Sequence, residues 1–81
     1  MNDIYKYIVF IEFGAERIHV FPDYIIHKAE AKRIGLPAVR AGSTLRGRCF
    51  GESVSLGLNS DPVADAALLK AGLILGNGEA A

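Results

Sequence analysis

The chain has 81 residues, 51% of them hydrophobic, and a formal net charge of zero. This length suits a single domain and is too short for two separate cores, while the apolar fraction excludes an intrinsically disordered chain. Because neutral surfaces do little to keep copies apart, we expect a homodimer.

Cysteine content and hydropathy indicate a cytoplasmic protein. Cys49 is the single cysteine, so an internal disulfide is excluded. Residues 1–13 carry charges among the apolar positions, unlike a secretory signal, and apolar runs such as residues 7–11 are far below the roughly 18 residues of a membrane span. We expect no membrane partner and no cofactor.

Residues 4–13 and 16–21 are predicted to form a β-hairpin. Both runs are rich in β-branched and aromatic side chains. A two-residue turn that begins with Gly14 favours type II′ geometry, and its register places Glu12 opposite Arg17.

A helix is predicted after the first hairpin. Pro22 ends the second strand, because it lacks the amide proton that a β-ladder uses. Asp23 is a suitable N-cap for a helix over residues 24–34, and Gly35 suits its end.

A second hairpin is predicted from strands at residues 38–45 and 48–56, with a turn at residues 46–47. Pairing from this turn makes one face of the hairpin largely apolar. On the other face it sets Gly42 opposite Gly51.

The second helix has the clearest local signals in the chain. Asp61 is the N-cap, Pro62 takes the first helical position, and Gly72 ends the helix, which covers residues 62–71. Residues 73–81 are expected to fray. The face expected to pack on the sheet comprises Val63, Ala64, Ala67, Leu68 and Ala71.

The element order is therefore ββαββα, and the fold class is α+β. We expect one domain, a mainly antiparallel four-stranded sheet with two helices packed on one face. The order of the strands between the hairpins stays open.

With both helices on one face, one side of the first hairpin would be uncovered. An exposed apolar stripe of this kind marks an interface, and we expect a dimer to form there. Alternatively, the first strand is central and the helices cover opposite faces. The residues of the predicted dimer interface are Ile8, Phe10, His19 and Phe21.

Two candidate sites lie on the second hairpin. Its polar face predicts a shallow groove for an anionic ligand or a partner's backbone, unless the facing glycines only relieve strand twist. The groove residues are Arg40, Gly42, Gly51, Ser53 and Ser55. Glu52 would lie on the apolar face, where a carboxylate needs a partner or a raised pKa. Alternatively, Glu52 lies at a solvated edge, or the register is shifted by one residue.

Motifs for catalysis or metal binding are weak. The segment 51–55 approaches the G-x-S-x-G elbow but ends in serine, and it would lie inside a strand. His19, His27 and Cys49 match no zinc spacing, so we assign neither catalytic residues nor a metal site.

Residues 28–48 carry six lysines and arginines against one glutamate. Such a cluster supplies phosphate contacts and favours nucleic-acid binding, although the neutral overall charge does not. The residues expected to contact a nucleic acid are Lys28, Lys32, Arg33, Arg46 and Arg48.

The run from Cys49 to Leu58, followed by a helix at residues 64–69, resembles small bacterial proteins of prophage and other mobile regions. The pair Phe21-Pro22 and His27 extend the resemblance. It implies a bacterial setting, and it brings no activity and no functional residues to carry over.

We therefore expect a non-enzymatic accessory or interaction protein that acts as a homodimer. One alternative is a nucleic-acid-binding module that uses residues 28–48. A second is a small ligand-binding or catalytic domain around Glu52.

Overall fold

A computed structural model of the chain describes residues 4–80, with side chains over residues 4–72. The elements are β1 (Ile4–Glu12), β2 (Ala15–Pro22), α1 (His27–Ile34), β3 (Ala38–Leu45), β4 (Arg48–Phe50), β5 (Glu52–Ser53), β6 (Leu58–Asn59) and α2 (Pro62–Ala80). An antiparallel four-stranded sheet has the order β2-β1-β3-β4, and β5 pairs with β6 in a small second sheet. The α+β class and the four-stranded antiparallel sheet are confirmed.

The two hairpins are joined through β1 and β3, which the sequence could not show. These strands are antiparallel, with Tyr7 opposite Gly42 and Ile8 opposite Ala41. β1 and β3 are therefore the central strands, and β2 and β4 are the edges of the sheet.

The two helices cover opposite faces of this sheet, so the prediction that both pack on one face is wrong. Tyr7 and Val9 of β1 pack against Leu69 of α2. Ile8 lies between them in sequence and packs on the other face, in a cluster that includes Ala31 of α1. Because successive side chains of a strand alternate between faces, a central strand covered on both sides is apolar on both.

The first hairpin turns at Phe13-Gly14 rather than at Gly14-Ala15. Both turn residues have positive φ, 52° and 76°, which is type I′ geometry. Glu12 therefore lies opposite Ala15 rather than Arg17, a slip of two residues that leaves every side chain on its predicted face. The left-handed conformation of Phe13 costs about 1 to 2 kcal/mol.

α1 begins at His27 rather than at Tyr24, and it ends at Gly35 as predicted. Residues 23–25 form a turn instead. Lys6 Nζ donates a 2.8 Å hydrogen bond to the carbonyl of Ile25, which directs this carbonyl towards the sheet rather than into a helix. At the other end, Gly35 adopts the left-handed conformation, with φ of 73°, that commonly ends a helix.

The second hairpin is shorter than predicted. The turn at residues 46–47 is confirmed, and the pairs nearest to it form in the predicted register. The pairing stops at Phe50, because Gly51 has φ of 78° and turns the chain out of the strand. The predicted pairs that involve residues 52–55 therefore do not form.

Residues 52–59 form the small β5–β6 hairpin, which contacts β3. Its turn brings Leu56 and Leu58 into the core cluster beneath α1. The same turn brings the Ser55 hydroxyl to the start of α1, where it accepts a 3.2 Å hydrogen bond from the Lys28 amide. A side chain distant in sequence thus satisfies one of the free amides in the first turn of this helix.

α2 begins as predicted but does not end at Gly72. The Asp61 carboxylate accepts a 3.2 Å hydrogen bond from the Ala64 amide, as an N-cap does. The helix continues to Ala80, since Gly72 lacks the left-handed conformation of a helix-ending glycine. The predicted fraying concerns residues 73–81, whose side chains lie outside the described part.

The buried side of α2 also differs from the predicted apolar face. Asp65 and Leu69 are buried, whereas Val63 is 83% exposed. The other buried or partly buried contacts of α2 are made by Ala66 and Leu68. Of the predicted face, Leu68 is partly buried and the other four residues are exposed, because the side of the helix that meets the sheet is centred on Asp65 and Leu69.

Candidate functional site

A buried carboxylate, Asp65, joins four elements of the fold. Its Oδ2 accepts hydrogen bonds from the Tyr7 hydroxyl at 2.5 Å and from the Asp61 amide at 2.8 Å, and its Oδ1 accepts one from Arg40 Nε at 2.6 Å. Arg40 also donates to both carboxylate oxygens of Glu16, at 2.6 and 2.9 Å. We call Tyr7, Asp65, Arg40 and Glu16 the Asp65 network.

The electrostatics of the Asp65 network match a closed structural site. Tyr7 and Asp65 have no exposed surface. Burial, reinforced by Asp65, raises the pKa of Tyr7 above its usual range, so its hydroxyl keeps the proton that it donates. The hydrogen bonds between Arg40 and Glu16 raise the pKa of Arg40 and lower that of Glu16. The network joins α2 to the sheet through the buried Asp65 carboxylate, whereas the Glu16 carboxylate at its outer end is exposed.

A second carboxylate, Glu30 of α1, lies on the opposite face. Its Oε2 accepts hydrogen bonds from His19 Nε2 at 2.6 Å and from Arg33 at 2.7 Å, and its Oε1 accepts a second bond from Arg33 at 3.0 Å. These bonds, from Arg33 first and then from His19, lower the pKa of Glu30 to about 2. We call these three residues the Glu30 network, and it ties α1 to β2.

The three residues considered as metal ligands, His19, His27 and Cys49, do not lie on one face of the sheet. His27 Nε2 donates a 2.9 Å hydrogen bond to the Gly42 carbonyl, and burial lowers the His27 pKa. Phe21 stacks on His19 and meets His27 edge-on. Cys49 is buried on the α2 face, where burial raises the pKa of its thiol. Among the residues that the structure describes, no three His, Cys, Asp or Glu side chains form a metal-binding group.

The groove predicted on the second hairpin does not form. Gly42 is buried opposite Tyr7, and a Cβ on it would lie 2.5 Å from the Phe50 carbonyl oxygen. Gly42 therefore marks a close backbone approach, made by the chain's own strand rather than by a ligand. Arg40 is held in the Asp65 network, and Gly51 ends the pairing of β4 instead of facing Gly42.

The remaining residues of the two predicted sites lie in the β5–β6 hairpin. Ser53 is buried, and its hydroxyl accepts a hydrogen bond from the Leu56 amide, while Ser55 is occupied at the start of α1. Glu52 is exposed opposite Asn59 rather than placed on an apolar face. The alternative of a solvated Glu52 is therefore the correct one.

The predicted nucleic-acid contacts are divided between two elements. Lys28, Lys32 and Arg33 lie on α1, and Arg33 is paired with Glu30. Arg46 and Arg48 lie at the β3–β4 turn. All five are exposed.

The predicted dimer stripe is covered by the chain's own helix. Ile8 is fully buried, Phe21 is 3% exposed, and Phe10 packs partly buried beside them. His19 is engaged by Glu30. The hypothesis that this face is an exposed interface is wrong, because α1 lies on it.

The open edge of β2 is the surface that the sequence analysis missed. No strand of the described residues pairs with β2 on the side away from β1. Glu12 and Ala15, which flank the two-residue turn, bond each other through both backbone groups, so the N–H and C=O of Ala15 point towards β1. Along β2, residues alternate between bonding β1 and pointing away from it. The outward N–H and C=O groups are therefore those of Glu16, Ile18 and Val20. The sequence did not reveal the strand order. Because β3 pairs with the free side of β1, β2 is left at the edge of the sheet.

Comparisons with known proteins found no match. No family model, no curated protein and no solved structure matches the chain. Over the described residues, no helix is long and apolar enough to cross a membrane.

Proposed function

We propose that this chain is a non-enzymatic interaction protein that acts as a homodimer, joined through the open edge of β2. The observation that carries the proposal is an eight-residue edge strand with no partner among the described residues. Exposed edges of this length bind extended strands, because their backbone groups are already aligned for pairing. A cytoplasmic, bacterial mobile-region setting belongs to the same proposal.

Between Ala15 and Phe21, β2 carries few of the features that keep an edge monomeric, although Pro22 closes its far end. Natural edges carry lysines, unpaired charges or bulges. The charges of β2 are neutralised within the chain, since Glu16 pairs with Arg40 and Arg17 lies 3.7 Å from Glu12. The pairing of β2 with β1 is continuous, without a bulge, and Val20 is exposed along it. These features leave the edge open to a further strand.

The interior supports a binding rather than a catalytic role. Asp65 and Tyr7 have no exposed surface, and the Cys49 thiol is buried with a raised pKa. A catalytic group must reach its substrate, and these groups are instead used to hold elements together.

The test is the molar mass in solution of the wild type and of two Val20 variants, by light scattering or sedimentation at high micromolar concentration. We expect a dimer for the wild type and a monomer for Val20→Glu, because a charged side chain on the edge opposes strand addition. Val20→Thr is the matched control, since it keeps a β-branched side chain, and it should remain a dimer. A strictly monomeric wild type, or a dimeric Val20→Glu variant, would overturn the proposal.

A further inference from the structure

We infer that two β2 strands pair antiparallel about a twofold axis at Ile18, and that Phe13 of each copy meets Tyr24 of the other. This inference rests on the proposed homodimer and adds its register and its anchoring residues. A twofold axis makes each contact occur twice, so a strand with complementary ends is suited to it.

Backbone pairing selects the register. With Ile18 opposite Ile18 of the second copy, Glu16 lies opposite Val20, and all three outward-facing residues of each strand are paired. A shift of one step in one direction places Glu16 opposite Pro22, which has no N–H and whose carbonyl already accepts a bond from Ile25. A shift in the other direction places Arg17 opposite Arg17, where like charges repel. The register centred on Ile18 avoids both losses.

The side chains of this register are also compatible. Arg17 lies opposite His19 of the second copy, on the face where His19 contacts the Glu30 carboxylate. Neither two carboxylates nor two guanidinium groups face each other in this register, since Glu16 lies opposite Val20 and Arg17 lies opposite His19.

Two aromatic side chains lie just beyond the ends of β2. Phe13 is 97% exposed and Tyr24 is 82% exposed. Phe13 holds a left-handed conformation at a turn position where asparagine is favoured over a bulky side chain. A strained residue with a wholly exposed ring points to a role outside the monomer, because neither feature stabilises the isolated chain.

The register brings these two ends together. Antiparallel pairing about Ile18 places Phe13 opposite Asp23 of the second copy, beside Tyr24. The same contact recurs at the other end of the joined strands, so each dimer contains two aromatic pairs. Aromatic residues are the commonest anchors of protein interfaces.

Disulfide trapping tests the register. In a Cys49→Ala background, Arg17→Cys and His19→Cys are each oxidised alone and as a mixture, because directly opposite residues suit a disulfide. We expect cross-linked dimers in the mixture and little in either variant alone. Self-linkage of Arg17→Cys or of His19→Cys, at the level of the mixture, would establish a shifted register and overturn the inference.

The aromatic contact is tested by Phe13→Asn. This variant should weaken dimerisation by about tenfold or more, while the type I′ turn becomes more favourable and the monomer no less stable. Tyr24→Ser should weaken the dimer similarly, and the double variant should add little, because both changes remove one contact. If Phe13→Asn leaves the dissociation constant unchanged, the contact is refuted. A dimer that persists in this variant but is lost in Val20→Glu would retain the proposed function, whereas a monomeric wild type refutes both.

Discussion

The Asp65 and Glu30 networks use the same chemistry on opposite faces of one sheet, at different depths. Each holds a carboxylate between an arginine and a ring-bearing side chain. Asp65 has no exposed surface, and its partner Arg40 is 21% exposed. The Glu30 carboxylate is nearly buried, but Arg33 is 66% exposed and reaches it from the solvent.

Depth decides what each network contributes. Removing one member of a buried pair leaves a charge without compensation in a medium that solvates it poorly, whereas water replaces the partner of an exposed charge. We therefore expect the Asp65 network to determine whether α2 stays on the sheet. The Glu30 network should mainly orient α1 against β2.

Asp65→Ala is expected to have the largest effect. It removes the acceptor of Tyr7, Arg40 and the Asp61 amide together, and it should lower the free energy of unfolding by about 3 to 5 kcal/mol. Urea denaturation at one fixed protein concentration measures this loss, since dimerisation makes apparent stability depend on concentration. Val63→Ala, at an exposed position of the same helix, is the control and should change little. A loss below about 1 kcal/mol would be typical of a surface ion pair, and the expected difference in strength between the two networks would then be wrong.

Tyr7→Phe isolates one bond of the Asp65 network. The ring stays packed and only the hydroxyl is lost, so the expected loss is about 1.5 to 3 kcal/mol, the usual range for a hydrogen bond to a charged group. In an Asp65→Asn background the same change should cost less, because the acceptor is then neutral. Equal losses in both backgrounds would show that the bond to Asp65 does not carry the effect.

Local signals predicted a large part of the fold. The glycine of each hairpin turn and the Asp61-Pro62 start of α2 act over a few residues, and they were located correctly to within one residue. The slip in the first hairpin arose because Phe13, rather than a second glycine or an asparagine, accepts a positive φ. Composition near a turn does not reveal that choice.

The networks and the open edge could not be predicted, because they depend on contacts between distant residues. Tyr7 and Asp65 are 58 positions apart, and Arg40 and Asp65 are 25 apart. Their side chains meet only because β1 pairs with β3 and α2 crosses that face. The same pairing leaves β2 as an edge, and it divides the basic residues between α1 and the β3–β4 turn. Alternation along β1 showed two apolar faces and left two explanations open, a dimer interface or a helix on each face of a central strand, and the second is correct.

Glu30→Gln should have the smallest effect, and that effect should depend on pH. Arg33 and His19 lower the pKa of Glu30 from 4.5 to about 2 in the folded chain. As pH falls, the unfolded chain therefore binds this proton first, so the stabilisation is complete above about pH 4.5 and is lost as pH approaches about 2. The difference in unfolding free energy between wild type and variant should be smaller at about pH 3 than at about pH 7. In chains that also carry Arg33→Gln, the effect of Glu30→Gln on the unfolding free energy should be smaller, because Arg33 is the main cause of the lowered pKa of Glu30. A difference in unfolding free energy between wild type and Glu30→Gln that does not change with pH would contradict this prediction. A difference at about pH 7 that exceeds the loss in Tyr7→Phe would mean that the Glu30 network is as strong as the Asp65 network.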